Sequence, residues 1–187
     1  MVNSLANHGF LPRNGLNVSL DQILTGFQES LNLDPNSTII PATIALTTST
    51  TGNKETLNLD DLSKHGSMYT ESISMPLAIM SAYKETVIEH DGSLSRNDIF
   101  FGDNHSFNWA IWKSVSAFFT EATISVSTAA KARAARLKAA AAVNPEFNFT
   151  AQDTQNSLFE TALYLRVFGN GTQGDARTEW VRILFGK

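Results

Sequence analysis

With 187 residues, 42% of them hydrophobic and 17% charged, the chain has the composition of a globular domain and not of a disordered segment. Its formal charge of −4 gives no electrostatic reason to expect nucleic acid as a partner. It contains no cysteine, which excludes disulfides, a thiolate nucleophile and a Cys-ligated metal built from these residues alone; nor does any apolar run approach the ~20 residues that span a membrane.

Along the chain, Met1 to Ala6 offers neither a basic n-region nor an apolar h-region, so no signal peptide is expected there. Ser19 is placed to cap a helix whose apolar stripe is Leu20, Ile23, Leu24, Phe27 and Leu31, and Asp34-Pro35 stops it. Ile39 to Leu46 predicts a second helix starting around Pro41 and ending by Gly52. Ser93 or Ser95 caps a short helix through Ile99, Phe100 and Phe101, ended by Gly102. Phe107 to Phe119, with Trp109, Ile111, Trp112, Val115, Phe118 and Phe119, predicts a helix buried on much of its circumference. Thr128 to Ala142 is alanine-rich with Lys131, Arg133, Arg136 and Lys138 spread round it, which predicts a solvated surface helix ended by Asn144-Pro145. Asp153 or Thr154 opens a helix running to Phe168, and a last one covers Thr178 to Phe185. Strand-like alternation is almost absent. The expected class is an all-α, single-domain helical bundle.

Five N-x-Ser/Thr sequons, at Asn17, Asn36, Asn104, Asn148 and Asn170, fall in polar or turn-like stretches and favour an extracellular protein.

Two constellations could carry chemistry. Helical spacing groups Glu160 with Leu163, Tyr164 and Val167 on an apolar face, with Arg166 pointing away. Such a carboxylate is either buried, with a raised pKa suited to proton transfer, or at the stripe's edge, half exposed or paired with a polar core group. The second constellation is Glu89-His90-Asp91-Gly92-Ser93, in a loop before a helix. Glu89, Ser93 and loop carbonyls are hard oxygen donors for Mg2+ or a similar cation, and Asp98 could orient His90 by a hydrogen bond. The competing reading is that Ser95 and Asp98 form a capping box and the acids complement a helix N-terminus. His105, inside a sequon, is expected to be exposed, and His65 to sit at a helix C-terminus.

Taken together, these segments resemble the heme-thiolate peroxidase family of chloroperoxidases and unspecific peroxygenases. Asn3 to Gly15 (NSLANHGFLPRNG) looks like the stretch that follows that family's proximal Pro-Cys-Pro. Glu89-His90-Asp91 with Ser93-Leu94-Ser95-Arg96 is similar to the signature of the shorter, chloroperoxidase-like branch. Phe101-Gly102-Asp103-Asn104, Ser106-Phe107-Asn108, Glu160-Thr161-Ala162-Leu163-Tyr164-Leu165 and Trp180-Val181-Arg182 follow in the family's order. The resemblance implies one heme haloperoxidase-like domain over residues 1–187, holding heme b through a cysteine thiolate and using hydrogen peroxide to oxidise halide or oxygenate small apolar or aromatic substrates. By the same resemblance Glu160 is the distal acid/base, His90 assists it and Asp98 holds the imidazole. Glu89, His90 (through its backbone) and Ser93 are the implied ligands of a divalent cation beside a heme propionate.

Two departures qualify the resemblance. The proximal cysteine is expected just before Met1, and residues Ser67 to Thr86 separate two pieces that run nearly together in the family. A fungal gene read from a start downstream of the leader and Pro-Cys-Pro exon, with a short intron retained at 67–86, accounts for both. The expected function is a peroxide-dependent heme-thiolate oxidoreductase, inactive without its cysteine. The rival is a heme-free homologue acting as a binding protein or non-redox biosynthetic catalyst.

Overall fold

The structure, a computed structural model, describes residues 1–63, 90–170 and 175–186, with residue 186 by its backbone alone. The segment 67–86, His65 and Glu89 lie outside the described residues, so the expectations placed on them are not addressed by it. The chain divides into two compact units, Met1–Glu89 and His90–Lys187. Helices dominate both, and the strands among the described residues are two-residue pairs, so the class is all-α, of the chloroperoxidase-like type.

In the first unit, α1 (Val2–His8) is a helix the sequence reading did not anticipate, closed by Gly9 in the left-handed region at φ 84°. Helix α2 (Leu20–Leu31) begins as expected at Ser19, whose hydroxyl accepts from the Gln22 amide while the Gln22 side chain accepts from the Ser19 amide. Helix α3 is Pro35–Leu46, not a helix begun at Pro41. Asn32, in the left-handed region at φ 52°, closes α2, and Asp34-Pro35 starts the next helix: Asp34 accepts from the Asn36 amide at 2.8 Å, and proline's fixed φ suits the first helical position. Pro41 then sits inside the helix at the cost of one backbone bond. Strands β1 (Val18–Ser19) and β2 (Thr56–Leu57) pair antiparallel, Val18 opposite Leu57. The core is Leu5, Leu11, Val18, Ile23, Leu46 and Leu57 with small alanines between. Gly26 lets α2 approach the chain at Phe10, whose carbonyl oxygen would lie 2.8 Å from an added Cβ.

In the second unit a 3-10 turn, Ile99–Phe101, precedes α4 (Trp109–Ser116), α5 (Val126–Val143), α6 (Ala151–Val167) and α7 (Thr178–Gly186). Strands β3 (Thr123–Ile124) and β4 (Ala176–Arg177) pair antiparallel. The cap of the 3-10 turn is neither Ser93 nor Ser95; Asp98 holds that position without a side-chain cap bond, because its carboxylate is used elsewhere. Helix α4 is shorter than expected and buries only Trp112 and Val115, while Trp109 is 61% exposed. Its flanking residue Phe119 joins the core with Ile124, Tyr164, Leu165 and Val181. Helix α6 starts earlier than expected: Thr150 is the N-cap, and Asp153 completes a capping box instead of opening the helix. Of the sequons, Asn104 is buried and Asn36 lies in the first turn of α3, so not all five are in open turns.

Candidate active site

Glu160 and His90 are brought together. On α6 the buried stripe is Asp153, Ser157, Thr161, Tyr164 and Leu165, which leaves Glu160 at its rim with a side chain 50% exposed. Of the two readings open at that position, the structure selects the edge carboxylate with polar partners. The Glu160 Oε2 atom stands 3.5 Å from His90 Nε2. His90 is buried, its Nδ1 lies 2.8 Å from the Asp91 carbonyl oxygen, and its ring meets the edge of Phe149 with centroids 5.4 Å apart. A donor at Nδ1 facing a carbonyl leaves Nε2 as the nitrogen that faces Glu160. Phe147 stacks on Phe149 at 5.8 Å, an aromatic wall beside the imidazole.

Two arginines of α5 hold this arrangement. Arg133 donates to Glu160 Oε2 at 2.8 Å and to the Gly92 carbonyl at 2.9 Å. Arg136 donates to Asp98 Oδ1 at 2.7 Å and to the Ser93 carbonyl at 2.8 Å. Asn144, at the end of α5, donates to both Asp91 Oδ2 (2.9 Å) and Asp98 Oδ2 (3.2 Å). The Gly92 amide closes the loop on Asp98 Oδ1 at 3.1 Å. Gly92 has φ 86°, a backbone conformation that selects glycine there, and an added Cβ would also make the Leu137 side chain shift. A buried charge needs partners, and Asp98, 1% exposed, has three.

The expected role of Asp98 is therefore corrected. Among the described residues it does not touch the His90 ring; the neighbouring Asp91 carbonyl orients that ring, and Asp98 anchors the loop. The solvated reading of Thr128–Ala142 holds for one face, with Lys131 and Lys138 exposed, and not for the other, where Arg133 and Arg136 are 7% and 6% exposed. A signal existed: Ala129, Ala132, Arg133, Arg136 and Ala140 fall on one helical face, small residues admitting two long cations.

Burial alone raises the Glu160 pKa, but the hydrogen bond and charge of His90 and the positive charge of Arg133 outweigh it, and the carboxyl titrates below its usual range. The raised value expected for a buried acid is thus reversed. Burial likewise lowers the His90 pKa, and the Glu160 carboxylate more than compensates, so the imidazole is more basic than usual. The resting arrangement is an ionised carboxylate beside a readily protonated imidazole. Burial pushes Tyr164 up to about 12.

Among the described residues no group of three or more His, Cys, Asp or Glu side chains could hold a metal ion. No described helix is long and apolar enough to cross a membrane. An open depression of about 850 Å3 between α4 and α7, lined by Trp109, Trp112, Phe119, Arg177, Arg182 and Ile183 among others, does not include His90 or Glu160.

The whole chain, residues 1–187, matches the family described as Peroxidase, family 2. The chain belongs to that family. It is similar to an aromatic peroxygenase of Cyclocybe aegerita, 29% identical over 95% of this chain and 48% of that protein. It is also similar to an aromatic peroxygenase of Coprinellus radians, 28% identical over 91% of this chain and 65% of that protein. The chain therefore spans about half to two-thirds of the length of these relatives. For this family 2 peroxidase chain, the resemblance to heme-thiolate peroxidases drawn from its motifs stands.

Proposed function

We propose that this chain carries the acid–base side of a hydrogen-peroxide-dependent heme-thiolate peroxidase or peroxygenase acting on small apolar or aromatic molecules. The observation that carries the reading is a half-exposed, ionised Glu160 whose Oε2 pairs with buried His90. Proton transfer to and from peroxide needs a base that is ionised at rest and reachable from outside, and this carboxylate is both. The chemistry of the donor set fits the distal face of a heme: one open carboxylate, one imidazole behind it and the Phe149 wall. The proximal thiolate is not among these 187 residues.

A thiolate-ligated heme, when bound, supplies the electron push that favours O–O cleavage. Glu160 takes the first peroxide proton and returns it to the departing oxygen, which leaves as water. His90 shares the proton through Nε2 while Asp91 fixes its ring. Asp98, expected at the site, acts on the loop and not on the proton. A divalent cation bound by Glu89, the His90 backbone and the Ser93 hydroxyl belongs to the same proposal, with Glu89 as the charged donor. The Ser93 carbonyl already accepts from Arg136. An extracellular, glycosylated enzyme is the accompanying proposal on localisation.

A second reading is a heme-free homologue that uses Glu160 for binding or non-redox catalysis. Hemin titration separates the two. An upstream segment containing a cysteine, fused to the chain, should give a thiolate-type Soret band with CO and turnover of an aromatic substrate with peroxide, and Glu160→Gln should abolish turnover. The 187-residue chain alone should show little of either. Colourless, folded fusion protein would support the second reading.

A further inference from the structure

We propose that Arg133 is a positioning residue that fixes the His90–Glu160 geometry and decides which carboxylate oxygen is left to react; this rests on the acid–base reading of Glu160. One guanidinium reaches both halves of the pair. Its Nη1 holds the Gly92 carbonyl at 2.9 Å, two residues beyond His90. Its Nη2 holds Glu160 Oε2 at 2.8 Å and lies 3.4 Å from the Ser157 carbonyl, one turn earlier on α6. The loop bearing the imidazole and the helix bearing the carboxylate are thus referenced to the same rigid, planar fork.

The second consequence concerns the two oxygens. Oε2 is occupied by Arg133 and faces His90, whereas Oε1 has no partner among the described residues. With half of the side chain exposed, Oε1 is the atom that meets a small molecule from outside. A carboxylate free to rotate would present either oxygen; one pinned at Oε2 presents one. Arg133 is buried, so its contact is held by packing along α5 as well as by charge.

Lysine is a useful probe, because a single ammonium cannot reach Gly92 and Glu160 with the spacing of two guanidinium nitrogens. The test uses the full chain with 13Cδ-labelled glutamate and 15N-labelled histidine, at one fixed pH, with the Glu160 line assigned by Glu160→Gln. Arg133→Gln should move the Glu160 carboxyl resonance and the His90 ring-nitrogen shifts. Arg133→Lys should restore the carboxyl line in part and the ring signature less. Lys131→Gln, at an exposed position of the same helix, should leave both in place. Identical spectra for wild type and a folded Arg133→Gln protein would overturn the proposal, as would equal changes from Lys131→Gln. If Arg133→Gln fails to fold, Arg133→Lys decides: unchanged Glu160 and His90 signals overturn it. No heme or turnover enters this measurement, so an inactive enzyme with these spectral changes would count against the proposed function and not against the role of Arg133.

Discussion

At the residue scale, the pairing of His90 with Glu160 has a definite pH signature. Glu160 titrates below its ordinary value, so its contribution to stability is present above the unfolded carboxyl pKa of about 4.3 and is lost as pH falls through the folded value. His90 titrates above its ordinary value, so its contribution is complete below the unfolded imidazole pKa of about 6.5 and is lost as pH rises through the folded value. Both hold together between roughly pH 4.3 and 6.5. The stability difference between wild type and His90→Gln, followed by urea unfolding across pH, should peak in that window; a flat difference would show that the pair is not coupled. Tyr164 gives an independent check. Three tyrosines are present, and an alkaline absorbance titration should show one component displaced to about 12 that Tyr164→Phe removes. The motif that pointed to both site residues was legible because their chemistry is unusual in its local setting: an acid on an apolar helix, and an imidazole between two acids. What could not be read was the net direction of the Glu160 pKa. That depends first on the approach of His90 and then on that of Arg133, 27 residues away in the chain, neither of which a local pattern encodes.

At the scale of elements, caps and periodicity located most helices, and the errors have a common cause. Residues were assigned the wrong one of two roles they could fill. Asp34-Pro35, read as the stop of α2, is the start of α3 after Asn32 closes α2, and Asp98 occupies a cap position while spending its carboxylate on Arg136. Helix α5 misled for a different reason: alanine contributes little contrast between faces, so a helix buried along an alanine face reads as solvated. Two substitutions test the assigned contacts. Thr150→Ala removes the oxygen that accepts from the Asp153 amide and half of a capping box, and should cost about 1 kcal/mol by chemical denaturation. Arg136→Met leaves Asp98 buried with its charge opposed only by Asn144 and the Gly92 amide. Breaking such a pair should cost about 3–5 kcal/mol, well above the capping loss. Equal costs would mean that water reaches Asp98 and that the pair is not sealed.

At the scale of the whole molecule, the two hydrophobic cores and the site draw on residues 1–63 and 90–186. The expectation that Ser67 to Thr86 is a retained intron predicts that deleting it leaves a foldable protein. The deleted protein should keep its helical circular dichroism and its urea midpoint. The same protein should keep the His90 and Glu160 resonances of the parent, since every contact that positions them among the described residues comes from His90 onward. Splice sites bracketing these codons in the gene would account for the segment; loss of helical signal on deletion would instead show that it belongs to the fold.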